Sequence, residues 1–141
     1  MIPLVCCIDD DKVASMIVQV TVNKAEFCSD FLIFQESEAA MVYLKEQVRQ
    51  LPENRRFPDL IFLDLNMPFL DGFEFLEKYD KACFPHFPQT SIVVVSSSLD
   101  PQDRQKTLAY SFVLEFLSKP IRLEHLEAIK KKPSVERFFG E

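Results

Sequence analysis

The chain has 141 residues, of which 48% are apolar and 27% charged, with a net charge of −6 and only two glycines. That length supports a single hydrophobic core, and the balance is that of a folded chain rather than a disordered one. The acidity argues against binding nucleic-acid backbones, two glycines exclude a Gly-rich phosphate or dinucleotide loop, and no apolar run reaches the 18 residues of a membrane span.

Five short apolar runs order the sequence. The first, residues 2–8, is continuous and holds Cys6 and Cys7. It predicts a strand buried on both faces, as in a parallel sheet. Val13, Met16, Ile17 and Val20 follow at helical spacing and predict a first helix. Residues 31–34 predict the second strand, and Ser37 is placed to cap a helix carrying Ala39, Val42 and Leu44. Pro52 and Pro58 bracket a long polar loop, residues 51–59, before the third strand at 60–63. Asp71-Gly72 reads as the turn and cap of a third helix with Phe73, Leu76 and Tyr79. After a fourth strand at 92–95, Asp100-Pro101-Gln102-Asp103 sets a cap before proline, opening a weakly patterned helix. The fifth strand is predicted at 112–117, and Lys130-Lys131-Lys132 reads as the solvated end of a last helix. The alternation implies one α/β domain, a parallel sheet covered by helices on both sides, without repeats or linkers. The four cysteines lack C-x-x-C spacing and read as small buried residues of a reducing compartment. With no basic leader before a long apolar stretch, secretion and membrane association are not expected, and a cytoplasmic location is.

In such sheets ligands bind beyond the carboxyl ends of the strands. Asp9-Asp10-Asp11 follow the first run, Asp64 the third, Ser96-Ser97-Ser98 the fourth and Lys119-Pro120 the fifth. Singly these residues have ordinary readings: Asp10 or Asp11 as a helix cap, the serines as turn residues, the lysine as surface. Together they can converge on one cleft with three carboxylates, a hydroxyl and an ammonium. Two carboxylates ~4 Å apart repel by roughly 4 kcal/mol at an effective dielectric near 20, so such a cleft needs a cation or shifted ionisation. Oxygen-only ligands point to a hard ion such as Mg²⁺. A carboxylate beside that ion can act as a nucleophile toward a phosphoryl group, with lysine and hydroxyl stabilising the phosphoryl oxygens.

The stretch Leu60-Ile61-Phe62-Leu63-Asp64-Leu65-Asn66-Met67-Pro68-Phe69-Leu70-Asp71-Gly72 resembles the phospho-acceptor segment of response-regulator receiver domains, an apolar run followed by D-x-x-M-P-x-x-D-G. Val5-Cys6-Cys7-Ile8-Asp9-Asp10-Asp11 resembles the family's acidic pair, and Lys119-Pro120 its lysine before a cis-proline bond. The resemblance covers about residues 3–130. It implies a flavodoxin-like (βα)5 fold with strand order 2-1-3-4-5, and phosphorylation of Asp64. It also implies Mg²⁺ held by Asp9, Asp10, Asp64 and the backbone carbonyl of Asn66, with phosphoryl contacts from Ser96 and Lys119 and a switch role for Phe116. The implied partners are a histidine kinase or phosphotransfer protein and a downstream protein target, with no direct nucleic-acid or membrane partner. A homodimer is left open.

Some details depart from the family pattern. Ser96 replaces the more usual threonine, and the spacing from Ser96 to Lys119 is one residue longer than expected, which keeps Ser97 as a lesser candidate for the hydroxyl. Asp11 reads as a cap, and His86 and His125 read as surface residues without catalytic partners. Only 22 residues follow Lys119, so the expectation is a single receiver domain, 1–141, with a short C-terminal tail and no output domain. Catalysis would then be limited to the chain's own phosphorylation and dephosphorylation. Two other functions compete: an interaction module independent of phosphorylation, and a haloacid-dehalogenase-type phosphatase. The complete set of Asp9, Asp10, Asp64 and Lys119 argues against the first, and Asn66 in place of a second aspartate argues against the other.

Overall fold

Five strands pair only in parallel, and the three central ones, drawn from continuous apolar runs, are covered on both faces. In the computed structural model, which describes residues 1–140, the strands are β1 (Ile2–Ile8), β2 (Cys28–Phe34), β3 (Leu60–Leu63), β4 (Ser91–Ser96) and β5 (Val113–Ser118). They form one sheet of order β2-β1-β3-β4-β5. The helices are α1 (Lys12–Lys24), α2 (Ser37–Arg49), α3 (Gly72–Ala82), α4 (Pro101–Leu108) and α5 (Leu123–Lys130). This is the flavodoxin-like (βα)5 arrangement that the sequence predicts. None of the helices among the described residues is long and apolar enough to cross a membrane.

Strand alternation splits the core in two. Cys6, Ile8, Ile61, Leu63, Ile92 and Val94 face α2 and α3, where Met41, Leu44, Phe75, Leu76 and Tyr79 meet them. Val5, Cys7, Phe62, Val93 and Val95 face α1 and α5, against Val18, Val22, Leu126 and Ile129. Each fully buried side chain of this size contributes roughly 1.5–3 kcal/mol of transfer free energy, so both layers are needed to hold the strand ends in register.

On two helices the buried face differs from the apolar stripe that marks them in the sequence. On α1 the buried residues are Ser15, Val18 and Val22, whereas Val13, Met16, Ile17 and Val20 are exposed. The helix start sets which face turns inward. Asp11 accepts from the Val13 and Ala14 N–H groups, and Ser15 Oγ donates to the Asp9 and Asp11 carbonyls, so Ser15 faces the sheet. On α2, Ala40, Met41 and Leu44 point inward while Ala39 and Val42 are exposed. Ser37 does not cap that helix; its Oγ donates to the Leu70 carbonyl. Asp71 and Asp100 cap α3 and α4 as expected, Asp71 in a reciprocal box with Glu74.

The stretch between Ser96 and Lys119 contains a bulge in β5. Ile92 pairs with Val113 but Val93 with Glu115, so Leu114 is an unpaired bulge residue of β5. Beyond it the register recovers, with Ser96 opposite Ser118 and the Lys119 N–H donating to the Ser96 carbonyl at 3.0 Å.

Residues 131–140 are packed rather than loose. Val135 is buried, the Phe139 ring lies 5.7 Å from Phe27, and the N-terminal ammonium donates to the Phe138 carbonyl at 2.8 Å. Lys130 is not a solvated helix end: its ammonium donates to the Ala25 carbonyl at 2.5 Å. This segment closes the amino-terminal end of the sheet and leaves the carboxyl end open.

Candidate functional site

Asp9 and Asp64 are the first residues past β1 and β3, and the Ile8–Leu63 pairing sets them side by side. The Asp64 N–H donates to the Ile8 carbonyl at 3.0 Å, and each aspartate is only 4% exposed. Asp10 is exposed at the rim, yet carboxylate oxygens of Asp9, Asp10 and Asp64 all lie within 4.8 Å of one another. Lys119 leaves β5 before a cis peptide bond to Pro120, as the family resemblance implies. Its Nζ lies 2.9 Å from Asp9 Oδ2 and 3.4 Å from Asp64 Oδ1.

The electrostatics follow from this crowding. Burial raises the Asp64 carboxyl to about 6, the Asp9 charge adds to the rise, and Lys119 opposes it. For Lys119, burial works to lower its pKa, but hydrogen bonding to Asp9 and attraction to Asp64 outweigh it and lift the group above its usual value. With all four groups ionised, three carboxylates face one ammonium. The donor set is entirely oxygen and carries excess negative charge, which fits a hard divalent cation.

The two buried aspartates differ in what their oxygens have left. Asp9 Oδ1 accepts from the Asp11 N–H at 2.9 Å, and its Oδ2 is taken by Lys119. Asp64 Oδ1 accepts from the Asn66 N–H at 3.3 Å and faces Lys119, but its Oδ2 accepts no hydrogen bond from the described residues. Asp64 therefore keeps one oxygen for chemistry. Gly72 holds the loop beyond it: a Cβ there would sit 2.5 Å from Leu65 Cα and 2.8 Å from the Asp64 carbonyl oxygen. Asn66 is exposed in that loop.

Ser96 ends β4 fully buried, its Oγ accepting from the Ser98 N–H at 3.0 Å, whereas Ser97 is exposed. Asp11 caps α1, as expected. Burial raises the Cys7 thiol to about 12, which removes it as a nucleophile at neutral pH. Phe116, for which the resemblance implies a switch role, packs into the core on the α3 side of the sheet. It is buried, with the Arg104 guanidinium 6.0 Å from its centroid and donating to its carbonyl at 3.1 Å. Arg104 also pairs with Glu115, which pairs with Lys132. The sequence reading missed this network, because its members lie on α4, β5 and the segment after α5 with no shared spacing.

Residues 5–131 match the family described as the response regulator receiver domain. Response regulator Rcp1 of Synechocystis sp. is 30% identical over 100 residues, covering 71% of this chain and 65% of that protein, just under two thirds of its length. A two-component response regulator from Cytophaga hutchinsonii superposes with a TM-score of 0.81 at 26% identity, covering 91% and 93% of the two chains. The phosphorylated cyanobacterial phytochrome response regulator RcpA gives 0.71 at 25%, covering 93% and 90%. An Mn²⁺-bound form of response regulator Rcp1 gives 0.69 at 28%, covering 97% and 94%. Phosphorylation and divalent-metal binding at an acidic pocket are typical of this family, as is interaction with histidine kinases or phosphotransfer proteins and with downstream targets. With its fold, its strand order and its matched sequence in agreement, this chain belongs to the response regulator receiver domain family of two-component signalling.

Proposed function

We propose that the chain accepts a phosphoryl group on Asp64 from a histidine kinase or phosphotransfer protein, in a Mg²⁺-dependent reaction. The observation that carries this reading is the pair of buried aspartates bridged by Lys119, with one Asp64 oxygen unengaged. That oxygen forms the new O–P bond as the P–N bond of the donor's phosphoimidazole breaks, the ring nitrogen leaving with the electron pair. Lys119, already between the carboxylates, follows the charge onto a phosphoryl oxygen, and the Ser96 hydroxyl can turn to donate to another. Asp9, Asp10, Asp64 and the Asn66 carbonyl would hold the Mg²⁺ ion, which supplies positive charge against the phosphoryl oxygens and the crowded carboxylates. Water attack on the acyl phosphate then resets the domain, so any catalysis is directed at itself.

The exposed α1 stripe supports a protein donor. Val13 and Ile17 share a cavity of ≈ 250 Å³ with Asp9 and Lys119, so an apolar partner surface on α1 sits beside the reacting group.

The metal assignment is tested by thermal unfolding of wild type and Asp10→Asn across a Mg²⁺ titration. Asp10→Asn is expected to be more stable than wild type without metal, because one repulsive charge is gone, and to bind Mg²⁺ at least ~10-fold more weakly. Equal stabilisation of both proteins by Mg²⁺ would remove Asp10 from the site.

Output is proposed to run through Ser96 and Phe116. A phosphoryl group adds about −1.5 to −2 charges at neutral pH and draws the Ser96 hydroxyl toward it, which favours the inward Phe116 over an outward alternative. Beryllofluoride with Mg²⁺ is expected to move amide NMR signals along α4 and β5 in wild type, and much less in Ser96→Ala and Phe116→Ala. Shifts confined to the acidic cleft in wild type would end the switch proposal and leave the phospho-acceptor reading standing.

A further inference from the structure

Phe69 is 91% exposed and has a φ of 68°. A bulky side chain is disfavoured in that left-handed region. The Leu70 N–H donates to the Pro68 carbonyl at 2.8 Å, closing around Phe69 the positive-φ γ-turn, a rare and strained form. The ring meets no core and gains nothing from packing in the free protein. The loop is nonetheless fixed, with Leu70 buried and its carbonyl bonded by Ser37 of α2, and the Gly72 N–H bonded to the Leu65 carbonyl at 2.9 Å. A large aromatic ring held out on a rigid loop has little freedom to lose on binding, and aromatic side chains are enriched as anchors at protein interfaces.

What would cover it is set by its surroundings. A groove of ≈ 480 Å³ runs between Met67-Pro68-Phe69 and the start of α2, with Glu36, Glu38 and Asp10 on its walls and no lysine or arginine. Its complement is an apolar socket flanked by basic side chains. Asp10 belongs both to this groove and to the carboxylate cluster, so a protein seated here also stands over Asp64. The partner that must come to Asp64 is the one that delivers the phosphoryl group.

We propose that Phe69, with the acidic groove beside it, is a specificity-determining docking element for the protein phosphodonor, which meets it with an apolar socket between lysine or arginine side chains. The proposal rests on the reading of Asp64 as phospho-acceptor. It places a second donor contact on the α2 flank of the cleft, across from the α1 stripe.

The test uses a panel of purified, autophosphorylated histidine kinase cores and takes the one that labels the wild-type chain fastest. Phe69→Ala and Phe69→Gly are each expected to raise KM for that kinase at least ~10-fold with kcat little changed, while labelling by acetyl phosphate stays at the wild-type rate. Phe69→Gly relieves the backbone strain, so it serves as the variant whose fold is secure. Glu36→Lys with Glu38→Lys is expected to raise KM and flatten its dependence on salt. Three results overturn the proposal: unchanged kinase transfer in both Phe69 variants; a dimer of the free chain that Phe69→Ala dissolves, which assigns the ring to a second copy; or a wild type labelled by acetyl phosphate but by no kinase of the panel. A wild type that acetyl phosphate cannot label strikes the Asp64 reading itself, and the proposal falls with it.

Discussion

Asp64→Asn is expected to take no label from acetyl phosphate and Mg²⁺, where the wild type takes one phosphoryl group per chain. Asparagine keeps the volume of the side chain and can keep the bond from the Asn66 N–H, so the fold survives while the nucleophilic oxygen is lost. Asp9 cannot substitute, although it is as buried and lies beside Asp64. Both of its oxygens are engaged, one by the Asp11 N–H and the other by Lys119. Asp10 is exposed, and water competes for its carboxylate. Intact mass before and after incubation reads the result, and hydroxylamine should release the wild-type label, because an acyl phosphate is open to that attack where a phosphoserine is not. Undiminished labelling in Asp64→Asn would sink the assignment.

The strands were legible because burial on both faces writes itself as uninterrupted apolar residues. Runs 2–8 and 60–63 coincide with β1 and β3 to the residue. Helix existence was equally legible, but helix rotation was not. An apolar stripe on α1 satisfies the usual pattern, yet a polar residue, Ser15, occupies the inward position because its hydroxyl returns to the Asp9 and Asp11 carbonyls. Periodicity alone cannot separate a stripe that packs inward from one kept outward. The site was readable as a set of strand-end residues, since one parallel sheet brings all such ends together. What those residues do to one another was not. Which Asp64 oxygen stays unengaged, and the Arg104–Glu115–Lys132 network over Phe116, depend on three-dimensional proximity with no sequence period. The spacing from Ser96 to Lys119 includes Leu114, an unpaired residue at the far end of β5 from the site, and no sequence period announces it.

Without divalent metal, the stability of the wild type is expected to fall relative to Asp64→Asn as pH rises from about 4 to about 7. The folded protein holds the Asp64 carboxyl at about 6 against an ordinary value of 3.8, chiefly through burial and then through the Asp9 charge. Below the ordinary value the group is protonated in both folded and unfolded chains, and the stabilising contribution of the neutral form is fully present. As pH rises through about 6 the folded state must take the charge beside Asp9, and that contribution is lost. A rise of about two pH units is worth at most about 3 kcal/mol, so about 1–3 kcal/mol is the expected scale. Asp64→Asn has nothing to ionise there, so the gap between the two proteins isolates this group from every other carboxylate in the chain. Mg²⁺ reverses the sign for the wild type. A cation favours the ionised carboxylate, so stabilisation by Mg²⁺ should be largest above about pH 7 and fade below about pH 6, where protons compete for Asp64. Urea unfolding of both proteins in chelator and in excess Mg²⁺, across this pH range, reads both effects at once. Parallel curves for wild type and Asp64→Asn in chelator would mean that Asp64 sits in the cleft at its ordinary ionisation, and that burial beside Asp9 costs the charged form nothing.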